Sequence, residues 1–261
     1  MKKRGTRVFA RLPTLTPLSQ KHSQITIFII VAILLIAVIF LIFYLRGGFG
    51  GKEVMDVRIV PINNFVLDCL EETSNNAIKD VGEKGGYAFI TDDVDSVEQI
   101  PHYLAGERKL MPSIETIESE ISFIVMNELS YCILNFKDFD NEYEDIRHEL
   151  KNVETSILDD VVRIKLDYPI RVKIDESSSE ISDFSFDIKI RLDDYYDAAE
   201  KIIVEQQEHI GSICLSCIYD LGEEYDVNID MYDYGNSTVF TIIDDEYKIN
   251  DEAYEWGFAI K

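Results

Sequence analysis

The hydrophobic pattern of the chain consists of one long apolar run near the N-terminus, followed by shorter stretches of helical or strand periodicity. The apolar run, Ile25 to Leu45, contains 21 residues and no charged side chain. An α-helix rises 1.5 Å per residue and needs about 20 apolar residues to cross the hydrocarbon core of a membrane. The pattern therefore predicts a transmembrane helix over 25–45, with the lipid bilayer as its partner.

Basic residues are concentrated before this run. Residues 1–24 contain six Lys or Arg and no acidic residue. Because positive charge at one end of a span favours the cytoplasm, we expect 1–24 to be a cytoplasmic leader and later residues to lie outside the cell. This is a single-pass signal-anchor topology. A cleaved secretory signal peptide is the alternative, but its apolar core would be shorter, about 7–15 residues.

The region after the run divides into a tether and a folded domain. Four glycines within residues 46–52 predict a flexible tether over 46–60. Residues 61–261 have enough apolar residues for a substantial core, and we expect one domain there with a sub-boundary near residue 150.

Three segments of this domain have helical periodicity. The first runs from Pro61 to Glu83 and stops before Gly85-Gly86. The second begins at Ser113, a residue type that favours the N-cap position. The third starts near Asp193 or Asp194 and continues to Gly222 as a single helix.

Between and after the helices the apolar residues alternate with period two. The segments Val161–Ile174 and Ser182–Arg191 predict a hairpin, in which Pro169 breaks the first strand or marks a sheet edge. Three more strands are predicted over 226–232, 238–243 and 254–260. The order of helices, hairpin, helix and meander predicts an α+β fold with antiparallel sheet.

Charge is distributed very unevenly along the chain. The formal net charge is −24, and because the leader carries +6, the remaining residues carry −30. An acidic surface repels the phosphates of nucleic acids, so we expect no nucleic-acid partner. The expected partners are proteins at the cell surface, and the sequence does not indicate an oligomeric state.

The chain has four cysteines, Cys69, Cys132, Cys214 and Cys217. An even number outside the cytosol indicates disulfides, for which three connectivities exist. We predict Cys69–Cys132, joining the first two helices, and Cys214–Cys217, although the latter pair could equally stay reduced in the core. The C-x-x-C lies about five turns inside the predicted third helix. A redox pair belongs at a helix N-terminus, so the pattern favours a structural role.

Several acidic residues have part of the spacing of a calcium-binding loop. The glycine that such a loop requires is replaced by Tyr143, so we expect a solvated loop, with no metal and no cofactor. The weak candidate ligands are Asp138, Asp140, Glu142, Glu144 and Glu149.

Local catalytic motifs do not occur in the sequence. The four histidines are scattered, and there is no G-x-S-x-G, phosphate-binding loop or G-x-G-x-x-G. We therefore predict no catalytic residues, but an enzyme stays open because the members of a triad need not be close in sequence. Asn236-Ser237-Thr238 is the single N-x-S/T sequon and makes Asn236 a candidate for glycosylation.

Several short motifs carry a resemblance to a known group. They are Gln24–Val31 after the basic leader, Phe65–Leu70, Gly85-Gly86-Tyr87, Asp167–Ile170 and Trp256–Ala259. With these motifs the chain resembles archaeal single-pass membrane proteins, over most of its length. The resemblance implies an anchor and an external domain, and it brings no activity. The leader is also similar to the class III signal of archaeal pilins, which is cut before a Gln, although Phe28 replaces the expected glutamate.

These features predict a membrane-anchored cell-surface protein with a structural or interaction role. Two alternatives remain at this stage. One is a pilin-like filament subunit processed before Gln24, and the other is a surface hydrolase whose active-site residues are distant in sequence.

Overall fold

The structure is a computed structural model that describes residues 28–36, 38, 56–209 and 212–261. The predicted leader, the processing position before Gln24 and residues 46–55 of the predicted tether lie outside the described residues. Contacts divide the chain between Val54 and Met55, and the second unit, Met55–Lys261, includes both sides of residue 150.

The prediction of a transmembrane helix over 25–45 is wrong for the part of the chain that is described. Within 28–36, 38, 56–209 and 212–261, no helix is long and apolar enough to cross a membrane. Residues 25–27, 37 and 39–45 of the predicted span lie outside the described residues.

The first two predicted helices are confirmed. Helix α1 is Val60–Glu83, with Pro61 in its first turn, and α2 is Ile114–Ile133. The Ser113 hydroxyl caps α2 by accepting the backbone N–H of Thr116 at 3.3 Å. After α1, Gly85 and Gly86 both have positive φ, which permits the tight turn there.

The third predicted helix is in fact two helices. They are α3, Leu192–Glu208, and α4, Leu215–Tyr225, so residues 56–209 and 212–261 contain four α-helices where three were expected. Local hydrogen bonds satisfy both ends of the break. The Nδ1–H of His209 donates to the Glu205 carbonyl at 2.8 Å, and the Cys214 Sγ accepts the N–H of Cys217 at 3.3 Å.

Ten strands in the described residues form two sheets. The six-stranded sheet has the order β1-β2-β10-β9-β8, with β3 beside β2, and its β2–β10 pair is parallel. The four-stranded sheet has the order β4-β6-β5, with β7 on the other side of β6. The strands are β1 Ser96–Val97, β2 Ile100–Ala105, β3 Arg108–Lys109, β4 Asp145–His148, β5 Asn152–Leu158, β6 Val161–Ile174, β7 Ser177–Lys189, β8 Asn228–Tyr234, β9 Ser237–Ile249 and β10 Glu252–Ile260.

The predicted hairpin is confirmed as β6 and β7, and the predicted meander as β8, β9 and β10. Pro169 does not end β6. It lies where the β6–β7 register shifts, between Asp167 and Ile170, and it separates the part of β6 that pairs with β5 from the part that pairs with β4. A proline is tolerated there because the ladder is already irregular. The mixed α+β class is therefore consistent with the structure.

One continuous apolar core connects the helices to both sheets. In the six-stranded sheet, the rings of Tyr103, Phe258 and Phe240 stack in series, with centroid distances of 4.9 Å and 5.3 Å. Trp256 is fully buried beside them. This core fixes the positions of the loops and helix ends that carry the candidate site.

Candidate functional site

The first cysteine pair joins the two long helices. Cys69 in α1 and Cys132 in α2 form a disulfide with Cα atoms 5.7 Å apart, as the sequence predicts. Cys69 is 2% exposed, and its neighbours on both helices belong to the core. The bridge therefore lies inside a packed helix pair.

The second cysteine pair has a different setting. Cys214 is the N-cap of α4 and forms a disulfide with Cys217 in the first turn of that helix, again the pairing that the sequence predicts. Both residues are half-buried, and Leu215 and Ser216 between them are exposed. The predicted position of this C-x-x-C, deep inside a helix, is wrong, because the predicted helix is interrupted between α3 and α4.

A histidine adjoins this second pair. A ring nitrogen of His209 and the two sulfur atoms of Cys214 and Cys217 lie within 4.8 Å of one another. With reduced cysteines, a Cys–Cys–His group can take part in thiol chemistry or bind a metal ion such as Zn²⁺. Here the two sulfur atoms are bonded to each other, and only reduction of the disulfide would make them available as ligands.

A cavity of about 790 Å³ opens next to the C-x-x-C. It includes Ser212 and Ile213, which directly precede Cys214, and His209. The opposite wall comes from β2 and β10, through Leu104 and Ile260. Ligand sites are concave and mostly apolar with a few polar groups, and this cavity has that character.

One buried polar group in the cavity wall is unsatisfied. Gln206, near the end of α3, is 6% exposed and lines the cavity. Its side-chain Nε2 has no hydrogen-bond partner among the described residues. A buried amide N–H without an acceptor costs free energy, so a bound carbonyl oxygen would stabilise this position.

A second polar constellation connects Asp95, His102 and Ser237. The His102 ring lies 3.0 Å from an Asp95 carboxylate oxygen through Nδ1, and 2.8 Å from the Ser237 hydroxyl through Nε2. With the Asp95 carboxylate ionised, the network assigns the proton to Nδ1, and the Ser237 O–H then donates to Nε2. This is the connectivity of a serine hydrolase triad.

Lys261 completes this network at the aspartate. Its Nζ donates to an Asp95 carboxylate oxygen at 2.7 Å. The pKa of Asp95 is lowered, first by this Lys261 hydrogen bond, and His102 adds to the effect against the opposing influence of burial. The carboxylate is thus held ionised, which keeps the imidazole in the orientation described above.

The Ser237 hydroxyl and the His102 ring are less accessible than the corresponding groups of an open active site would be. Ser237 is 7% exposed and His102 is buried. Ser237 does not line the cavity of about 790 Å³, although its neighbours Asn236 and Thr238 do. Asp95, His102 and Ser237, the trio from here on, therefore have the hydrogen bonds of a catalytic triad. In this conformation, however, a large substrate does not reach the Ser237 hydroxyl.

A buried ion pair supports the beginning of α3. The Arg191 guanidinium pairs with Asp244, which is 1% exposed and also accepts the Tyr195 hydroxyl at 3.0 Å. Burial alone would raise the pKa of Asp244, but Arg191 and the backbone N–H groups of Glu246 and Tyr247 hold it below its usual value. The pair ties α3 to β9, opposite to the helix end that carries the cavity.

The acidic candidate ligands are not gathered into a metal site. Among the described residues, no three of these carboxylates have their oxygen atoms within 4.8 Å of one another, the criterion that His209, Cys214 and Cys217 meet. Glu144 instead pairs with Lys173 at 2.5 Å. Asn236 is exposed in the tight turn between β8 and β9.

Sequence reasoning missed both the trio and the position of the C-x-x-C. His102 and Ser237 are 135 residues apart, and no local pattern connects them. The break before Cys214 did have a signal, because Gly211 lies in the middle of the predicted helix and glycine is a poor helix former.

No protein-family model, no curated protein and no solved structure matches this chain.

Proposed function

We propose that residues 56–261 form a disulfide-stabilised domain that works outside the cytoplasm, in cell-surface structure or in interaction with surface proteins. The observation that carries this proposal is that all four cysteines are paired in two disulfides. Disulfides persist in oxidising compartments, whereas cytosolic thiols are kept reduced.

The position of the first bridge against the core strengthens this argument. Cys69 and Cys132 lie on helices that pack against each other, and the bridge joins them at the domain core. A chain that folded in a reducing compartment would keep these thiols as small apolar core residues. The strong negative charge is compatible with a soluble surface exposed to the medium.

The test is the oxidation state of each cysteine in the cell. Cells that produce the full chain are quenched in acid, free thiols are alkylated, and the cysteine peptides are mapped by mass spectrometry without reduction. We expect Cys69 and Cys132 to be recovered as one linked peptide pair, while a cytosolic protein from the same cells is fully alkylated.

A protease experiment tests the location independently. Protease added to intact cells should digest residues 56–261, and a cytosolic control protein should survive until lysis. Recovery of alkylated Cys69 and Cys132, or protection of the domain until the cells are lysed, would contradict the proposal.

A second candidate function is hydrolysis of an ester or amide at Ser237. The observation that favours it is the Asp95–His102–Ser237 hydrogen-bond chain, with distances of 3.0 Å and 2.8 Å. In that function His102 would accept the Ser237 proton as general base, and Asp95 would orient the imidazole. The hydroxyl would have to become accessible, because it is buried here.

A fluorophosphonate probe decides this candidate. Small probes of this class form a covalent bond to an activated serine hydroxyl, and labelling of Ser237 in the native protein, lost in Ser237→Ala and in His102→Ala, would support hydrolysis. The exposed Ser216 provides an internal control in the same digest. Absence of labelling at Ser237 would leave the trio as a structural link between β2, β9 and the segment before β1.

A further inference from the structure

The Cys214–Cys217 pair is placed for chemistry that a structural bridge does not need. Cys214 is the N-cap of α4, a helix of 11 residues, and its Sγ accepts the N–H of Cys217 at 3.3 Å. The N-terminal end of a helix carries partial positive charge. A thiolate formed at Cys214 by reduction would therefore be stabilised by this N–H and by the helix dipole.

The surroundings allow a partner to reach the sulfur atoms. Both cysteines are half-buried, and the intervening Leu215 and Ser216 are exposed. The exposed His209 places a ring nitrogen within 4.8 Å of the two sulfur atoms. An imidazole at this position can accept or return the proton of a thiol.

The adjoining cavity has the features of a site for a polypeptide segment. Its volume is about 790 Å³, and the apolar side chains of Leu104, Ile213 and Ile260 contribute to its walls. Gln206 lines the cavity and is nine-tenths buried, and its amide N–H has no acceptor among the described residues. A backbone carbonyl of an extended peptide is an acceptor of the required kind.

We propose that Cys214 and Cys217 form a thiol–disulfide exchange site whose substrate is a dithiol segment of a partner polypeptide, bound in the cavity with a carbonyl on Gln206. This activity goes beyond the proposed surface role and assigns a function to the C-x-x-C.

The exchange proceeds in two displacements. A thiolate of the partner attacks the Cys214 Sγ, the Cys214–Cys217 bond breaks, and Cys217 leaves as a thiolate that takes up a proton. The second partner thiolate then attacks the partner sulfur of the mixed disulfide and releases Cys214 as the stabilised thiolate. Two electrons pass from the partner dithiol to the cysteine pair, and the partner is left with a disulfide. With a disulfide partner the same steps run in reverse.

The first experiment compares the two bridges of the full chain. The oxidised protein is incubated with a short dithiol peptide, quenched in acid, alkylated and mapped. We expect Cys214–Cys217 to be reduced at least about tenfold faster than Cys69–Cys132, because access controls the attack. Equal rates, or faster reduction of Cys69–Cys132, would overturn the proposal.

The second experiment separates the two sulfur atoms with matched variants. Cys217→Ser and Cys214→Ser each retain one thiol, and the backbone N–H at position 217 is retained in both. Each variant is mixed with the disulfide-linked dimer of a single-cysteine peptide, and formation of the mixed disulfide is followed by mass. Cys214 in the Cys217→Ser variant should react roughly tenfold faster, since only its thiolate accepts that N–H. Equal reactivity of the two thiols would contradict the assignment of Cys214 as the attacked atom.

The third experiment tests the cavity. In Gln206→Leu, reduction of Cys214–Cys217 by the dithiol peptide should slow roughly tenfold, the equivalent of one lost hydrogen bond, while reduction by dithiothreitol is unchanged. An equal effect on both reductants would remove the cavity from the proposal. If this variant does not fold, the comparison of the two cysteine variants still decides whether the pair is an exchange site.

Discussion

The two disulfides of this domain occupy opposite settings, and the difference indicates two roles. Cys69–Cys132 spans 63 residues and lies in the packed contact of two long helices. Cys214–Cys217 spans three residues, begins a short helix and adjoins a cavity. A long loop closed inside a core mainly changes stability, whereas a short loop at a helix N-terminus mainly changes reactivity.

The largest expected effect comes from removal of the long bridge. Cys69→Ala with Cys132→Ala should lower the free energy of unfolding by about 4 kcal/mol, because the unfolded chain regains the entropy of a 63-residue loop. Urea denaturation followed by circular dichroism measures the loss. Cys214→Ala with Cys217→Ala is the matched control, and a loss in the control as large as in the first variant would remove the distinction between the bridges.

Removal of the Arg191–Asp244 ion pair at the start of α3 should cause the second-largest loss in the free energy of unfolding. Asp244→Ala removes the buried partner of the Arg191 guanidinium and leaves it the longer ion pair with Asp194 at 3.5 Å, and we expect a loss of about 3 kcal/mol in the free energy of unfolding. Asp187→Ala, which breaks an ion pair with Arg163 on the surface, should cost less than about 1 kcal/mol. Similar losses in the two variants would mean that the Arg191–Asp244 pair is not a major link between α3 and the sheet.

Removal of the short bridge should act locally. In Cys214→Ala with Cys217→Ala, the loss of a three-residue loop and of the Cys214 cap should cost roughly 2 kcal/mol at most. Amide hydrogen exchange should then increase in α4 and stay unchanged in α1 and α2. Faster exchange throughout α1 and α2 would show that the short bridge also supports the core.

The sequence predicts the setting of the first bridge well because its determinants are local. The start of α1 near Pro61, its end before Gly85-Gly86 and the Ser113 cap of α2 are signals of neighbouring residues. Two amphipathic helices so defined bury their apolar faces against each other, and this brings Cys69 and Cys132 together. Pairing of the sulfur atoms follows from periodicity and packing.

The setting of the second bridge is harder to predict because apolar periodicity continues across the break. Ile203, Ile213 and Ile218 fit one helical stripe, yet they belong to α3, the connecting loop and α4. The decisive features are side-chain bonds to the backbone at His209 and Cys214, which periodicity does not encode. The cavity likewise depends on β2 and β10, strands that are distant from α3 in sequence.

The smallest expected effect is the pH-dependent contribution of the Asp95 carboxylate to stability, a contribution that the Cys69–Cys132 bridge does not share. Lys261 holds the pKa of Asp95 below its usual value of 3.8, so the ionised form contributes stability that is complete above that value. This contribution is lost as the pH falls through the lowered pKa in the folded protein. Because Asp95 is partly exposed, the loss should stay below about 1 kcal/mol.

Denaturation of the native chain and of Asp95→Asn at pH values from about 5 down to about 2 measures this contribution. The variant should be less stable than the native chain at the upper end of the range, and the two should converge at the lower end, because protonation removes the same charge that the substitution removes. The Cys69–Cys132 bridge does not titrate, so the same comparison made in the Cys69→Ala, Cys132→Ala background should give the same difference at each pH. A difference between native chain and Asp95→Asn that persists unchanged at the lowest pH would mean that the carboxylate charge at Asp95 is not what stabilises the segment before β1.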